Sequence, residues 1–181
     1  MASRVRDSIL LDALERAPDN PFDGEVWRVT HEARNPLDPS SAGGRWDRRV
    51  FDVLYTSLER DGAIAEIDFR LRLEPIFPSK FRPVLHRIHL QAARSIRFAS
   101  IDELIPLGVE PARYAEISYG RTQEIGDAAA FLGFGALIVP NARWPALNAV
   151  VIVDADPDPP TVTLLESELI DIHAWHALNR R

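Results

Sequence analysis

A chain of 181 residues that is 46% hydrophobic and 27% charged has the size and composition of one globular domain, with a core to bury and little scope for disorder. Its net charge of -6 and pI near 5.4 argue against non-specific nucleic-acid binding, which needs a basic surface to release counterions. The absence of cysteine removes disulfides, thiolate metal sites and a cysteine nucleophile together.

Ile9, Leu10, Leu14 and Ala17 recur at helical spacing and predict a helix over 7–17, ended by Pro18-Asp19-Asn20-Pro21. Met1 to Asp7 leads into that amphipathic stretch rather than into a signal peptide. No run of roughly 18 apolar residues occurs, so no membrane span is expected, and the reading is a cytoplasmic protein. Gly24 to Val29 reads as a strand. A Pro/Ser/Gly-rich loop follows from Pro36 to Gly44, then a second strand at Val53-Leu54-Tyr55-Thr56.

Residues 61–73 fit two periods. Ile67, Phe69, Leu71 and Leu73 alternate as in a strand, whereas Ile64, Ile67 and Leu71 follow a helix. The alanine-rich start favours a helix, which would place Glu66 on one face with Phe69 and Leu73. Pro75 and Pro78 should end it. Residues 84–91 alternate as a strand. Ser100 to Glu103 has the form of a capping box. A helix is predicted over 122–132 with Thr122 as its N-cap. Short apolar runs at 136–139 and 149–153 suit buried strands, and a strand and a terminal helix should close the chain. Strands and helices mix without regular βαβ alternation. The class is therefore α+β: one compact domain over 1–181, with mixed small sheets and flanking helices.

Common ligand motifs fail. Gly133-Phe134-Gly135 lacks the third glycine of a dinucleotide fingerprint, since Ile138 stands there. No P-loop occurs. Asp154 to Asp158 opens like a calcium loop, but Pro159 and Leu165 occupy the required glycine and glutamate places. His173 and His176 have no acidic third ligand nearby, so no metal site is assigned.

Four local features remain: Trp27-Arg28, Gly43-Gly44-Arg45-Trp46, Leu54-Tyr55-Thr56-Ser57, and Ala63-Ile64-Ala65-Glu66. On spacing alone they are equally compatible with solvated surface charges. Their order, however, resembles the RES domain, the toxin of bacterial RES–Xre toxin–antitoxin pairs. Gly135 to Arg143 and Leu147-Asn148-Ala149-Val150 are similar to that family's second signature, and the resemblance is strongest over 24–153. It implies a fold similar to ADP-ribosyltransferase toxins and cleavage of the nicotinamide–ribose bond of NAD, by degradation or by ADP-ribosyl transfer. NAD is then the substrate, no metal is needed, and an Xre-type antitoxin is the partner, in an oligomeric complex with no direct nucleic-acid or membrane contact.

By the same resemblance, Arg28 and Arg45 would hold the NAD phosphates, Tyr55 would stack on or hydrogen-bond the nicotinamide side, and Glu66 would support the reacting ribose. Asn141 stands where the family signature has serine, and is included as a catalytic candidate. That departure supports an alternative: a catalytically impaired RES-like module that binds NAD or a partner without turnover. The chemistry is consistent with the implied roles. Guanidinium forks grip phosphate bidentately, and a carboxylate stabilises the positive charge that develops on the ribose as nicotinamide leaves.

Overall fold

The structure is a computed structural model that describes residues 6–40, 43–74 and 81–179. Its order is α1 (Ser8–Glu15), β1 (Asn20–His31), β2 (Val53–Ser57), α2 (Arg60–Leu73), β3 (Pro83–Arg97), 3-10 turns at Ile101–Leu107 and Pro111–Arg113, α3 (Gly120–Phe131), β4 (Ala136–Pro140), β5 (Leu147–Ile152), β6 (Thr161–Leu169) and α4 (Ile172–Leu178).

The strands form one six-stranded sheet in the order β1-β2-β5-β4-β3-β6, and β1 also pairs β3, so five strands close on themselves. Most neighbours are antiparallel; β3 and β4 are parallel through Ser95↔Ala136 and Arg97↔Ile138. The long β3 makes the closure possible. Along 83–95 it pairs β1, its other edge takes β6, and its last residues turn to β4. The weak seam lies between β1 and β2, which meet at Trp27↔Ser57 and diverge from there. That opening positions the site.

Alternation along the strands divides the core. Val26, Leu54, Ile88, Ile138 and Val151, each from a different strand of the ring, pack together inside it. Leu137, Val139, Val150 and Ile152 point the other way, onto Leu10 and Leu14 of α1, Ile125 and Ala129 of α3, and Trp46. Ala63, Ile64 and Leu71 of α2 pack on Leu85 and on Ile172 of α4, with Trp27 and Val29 beside them. Each such fully buried aliphatic side chain contributes about 1.5–3 kcal/mol relative to exposure.

The expected elements form, with informative shifts. Residues 60–73 are a helix, as the alanines suggested. Pro75 and Pro78 lie outside the described residues, as do residues 1–5. The strand expected from Gly24 begins at Asn20, because Pro21 falls at a register shift between Asn20 and Phe22, where the ladder needs no N–H from it. Helix α3 starts at Gly120, two residues before the expected cap. Thr122 is inside the helix, and its hydroxyl donates to the Arg45 carbonyl at 2.7 Å and the Tyr119 carbonyl at 3.0 Å. The segment after Ser100 is a 3-10 turn. Glu103 reaches back to the Ala99 N–H at 2.8 Å, while the Ser100 side chain makes no cap bond. No helix of the described residues is long and apolar enough to cross a membrane.

Candidate functional site

Where β1 and β2 diverge, a cavity of about 300 Å³ opens between them, floored by the strands and walled by α2 and the 114–119 segment. From β1 come Arg28, Thr30 and His31; from β2, Tyr55 to Ser57. Helix α2 lends Ala63, Glu66, Ile67 and Arg70, spaced along one face. Arg45, Tyr119, Arg143 and Asn148 close the far side. Five arginines line this cleft in an acidic chain: Arg28, Arg34, Arg45, Arg70 and Arg143. Glu66 is the carboxylate among its described lining residues.

Arg28 is 7% exposed, and one of its N–H groups donates to the Pro36 carbonyl at 2.8 Å. Burial, and then the charges of Arg34 and Arg70, lower its pKa to about 10, so at neutral pH it remains a cation held at a cost. Arg34 donates to the Pro39 carbonyl at 2.8 Å. Arg70 makes no hydrogen bond among the described residues, and its guanidinium carbon lies 5.9 Å from the centre of the Tyr55 ring. The charges of Arg34 and Arg70 thus oppose that of Arg28, and among the described residues no carboxylate is hydrogen-bonded to any of the three.

Arg45 and Arg143 are arranged differently. Arg45 donates to the Tyr114 carbonyl and, at 3.4 Å, to that of Glu116. It sits between the Tyr114 and Tyr119 rings at 4.9 and 4.7 Å. Arg143 donates to the Ala115 carbonyl at 2.6 Å and lies 3.3 Å over Phe69. Both tie the 114–119 segment down as a wall of the cleft. The backbone on either side of Arg45 is fixed in turn: Gln123 of α3 donates to the carbonyls of Gly44 at 2.8 Å and Asp47 at 3.2 Å.

The Tyr55 hydroxyl is fully engaged. It donates to Asp47 Oδ1 at 2.6 Å and accepts from the Trp46 N–H at 3.0 Å. Burial, reinforced by Asp47, holds it well above the usual phenol range, so it stays protonated. Gly44 permits this contact, since a Cβ there would lie 2.5 Å from the hydroxyl. What Tyr55 presents to the cleft is its ring. Glu66 projects from α2 into the cavity and accepts from Asn148 Nδ2 at 3.4 Å.

Asn141, 8% exposed, follows β4 and borders a separate shallow groove with Trp144 and Ala146 rather than the cleft. Its amide oxygen accepts from the backbone N–H groups of Arg143 at 2.7 Å and Trp144 at 3.1 Å. Its nitrogen donates to the Gly62 carbonyl at 3.2 Å and Asn148 Oδ1 at 2.8 Å. No group of three or more His, Asp or Glu side chains among the described residues is arranged to hold a metal.

The family model for the RES domain matches residues 25–173. The chain belongs to the RES family. A solved structure similar to this RES domain is a chain of the M. tuberculosis MbcT–MbcA toxin–antitoxin complex, at a TM-score of 0.82. The match covers 97% of this chain and 99% of that one at 18% identity, a likeness that establishes the fold. A comparison with curated proteins gives no match.

The structure thus brings Arg28, Arg45, Tyr55 and Glu66 of this RES domain to one cleft and sets Asn141 behind it. The sequence reading gave no site role to Arg34, Arg70, Tyr119, Arg143 or Asn148, although Arg143 and Asn148 fall within the second signature. Arg70 was the most accessible of these, since it lies one helical turn after Glu66 and shares its face.

Proposed function

We propose that this RES domain is a toxin that cleaves the nicotinamide–ribose bond of NAD and is restrained by an Xre-type antitoxin. The observation that carries the reading is the charge of the cleft: five guanidiniums and one carboxylate around an aromatic-lined cavity. A dinucleotide with two phosphate charges suits the arginines, and a flat neutral leaving group suits the rings. A cavity of about 300 Å³ is at the small end for ligand sites, so a dinucleotide would fill it and extend past its mouth.

Arg28 is the first choice for a phosphate ligand because it is buried and short of partners, and Arg34 and Arg70 complete its side. Arg45, named with Arg28 by the motif, approaches from the opposite side with its guanidinium bonded to two carbonyls, and serves the wall that shapes the cavity. The ring of Tyr55 offers a stacking surface. Glu66 lies where positive charge would develop on the ribose. As the C1′–N bond breaks, its electron pair leaves with neutral nicotinamide, and the carboxylate stabilises the cationic C1′ until a nucleophile takes it. No general acid is required, which agrees with a Tyr55 hydroxyl already spent on Asp47.

The alternative, an NAD- or partner-binding module without turnover, rests on Asn141 in place of serine. The position of Asn141 outside the cleft weakens that argument. The toxin–antitoxin complex seen for a protein of this fold supports an antitoxin partner here. Incubation of the purified protein with NAD should release nicotinamide. Binding without release in folded protein would favour the module, and absence of both would reject the NAD reading.

A further inference from the structure

We infer that Asn141 and Asn148 are positioning residues that orient the Glu66 carboxylate through a hydrogen-bond chain of fixed polarity. This rests on reading Glu66 as the group beside the reacting ribose. The chain is anchored at both ends by groups that cannot reverse their roles. Two backbone N–H groups, of Arg143 and Trp144, point at one end of the Asn141 amide, and only its oxygen can accept them. The Asn141 nitrogen must then face the Gly62 carbonyl and Asn148 Oδ1, at 3.2 and 2.8 Å. With its oxygen occupied, Asn148 presents its nitrogen to Glu66 Oε1, an atom that as a carboxylate can only accept.

The fold places these groups together. Val139 pairs with Asn148 and Pro140 with Leu147, so Asn141 leaves β4 beside the start of β5. Gly62 lies in the first turn of α2, one turn before Glu66. A Cβ at Gly62 would collide with Ser57 Oγ and press on Asn141 Nδ2, so glycine lets the helix approach. Asn141 therefore secures the helix that carries Glu66, and Asn148 orients the carboxylate. Glu66 has no ion pair among the described residues, and Asn148 is the hydrogen-bond donor it has there. A serine at 141 is too short to span from the Arg143 N–H to Asn148, so asparagine at this place is a working part of this chain.

The test is Asn141→Asp, which keeps size and shape. A carboxylate oxygen still accepts the two backbone N–H groups, but the other now faces Asn148. Asn148 must turn its nitrogen toward residue 141 and its oxygen toward Glu66. Expected is a fall in kcat for NAD cleavage of up to about 10²-fold, the scale of a misplaced reacting group, with KM within about threefold. Asn148→Asp should lower kcat too, with a rise in KM because its new carboxylate lines the cleft, and neither substitution should lower kcat further in a Glu66→Gln background.

A second readout needs no turnover. In 1H–15N spectra, Glu66→Gln should move the side-chain amide signals of Asn148 and also those of Asn141, which does not touch residue 66. Unchanged kcat in folded Asn141→Asp, or a KM effect without a kcat effect, would overturn the inference. So would Asn141 signals that ignore Glu66→Gln. If the wild type releases no nicotinamide, the NAD reading fails, and the amide signals still decide whether the chain is coupled.

Discussion

On the β1–α2 side of the cleft, buried Arg28 feels the charges of exposed Arg34 and Arg70, and the hydrogen bonds these three make among the described residues are those of Arg28 to Pro36 and of Arg34 to Pro39. On the opposite side, Arg45 and Arg143 hold the carbonyls of Tyr114, Ala115 and Glu116 and lie on aromatic rings. The residue type is the same and the cavity is shared, yet in the proposed function one set receives an anion and the other builds a wall. Both sets reach backbone carbonyls, but those held by Arg45 and Arg143 belong to the 114–116 segment that walls the cleft, whereas those held by Arg28 and Arg34 belong to the loop at Pro36 and Pro39. Arg45, bonded to two carbonyls and set against two aromatic rings, adds stability and shape; Arg28, buried and repelled by the charges of Arg34 and Arg70, is stabilised when an anion arrives.

The largest expected effect tests whether the two sides converge on chemistry at all. Glu66→Gln should reduce nicotinamide release by about 10²–10³-fold, comparable to removing one preorganised electrostatic group, while melting stays close to wild type. Turnover at the wild-type rate would mean that Glu66 is only a helix-surface glutamate.

Next, Arg28→Ala should weaken NAD binding by about 1.5–3 kcal/mol, the worth of hydrogen bonds to a charged group, as read by calorimetry. Because Arg28 is buried and makes no ion pair among the described residues, NAD should also protect the fold. At a ligand concentration about a hundred times Kd, the melting temperature should rise by roughly 5–10 °C. No shift at saturating NAD would contradict an anion-receptive side.

A smaller effect concerns His86, which lies inside the ring near Arg28, bonded to Thr30 Oγ1 and Ser167 Oγ at 2.8 Å each. Burial, and then the charge of Arg28, lower its pKa, so it is held neutral. For such a depressed group, stability is fully present above the unfolded value near 6.5 and is lost as pH falls through the folded value. Melting temperature should therefore decline between about pH 7 and pH 5, and less steeply in His86→Gln. Parallel declines would remove His86 from the account.

The sequence made the elements legible where period and composition agreed. The alanines of α2 outweighed the alternation of Ile67, Phe69 and Leu71. The apolar runs of β4 and β5 suited buried strands, and both form them. Closure of the sheet was not legible, because it depends on β3 pairing both β1 and β4, and no residue of Pro83–Arg97 signals its partners. The motif order singled out Arg28, Arg45, Tyr55 and Glu66, and all four line the cleft. It could not say that Tyr55 spends its hydroxyl on Asp47 or that Arg45 is bound by carbonyls some 70 positions on, since such bonds exist only after folding. Arg70 stayed hidden because an arginine on a helix face reads as solvated surface unless the face is known to line a cavity.

The most direct test of the division between the two sides is NAD affinity measured by calorimetry for Arg70→Ala and Arg45→Ala, each in a Glu66→Gln background that holds substrate intact. The account predicts about 10–100-fold weaker binding for Arg70→Ala, the loss of a charge-assisted contact. For Arg45→Ala it predicts affinity within about threefold in protein that melts several degrees lower, roughly what losing its backbone bonds would cost. The reverse pattern, with affinity lost at Arg45 and kept at Arg70, would contradict it.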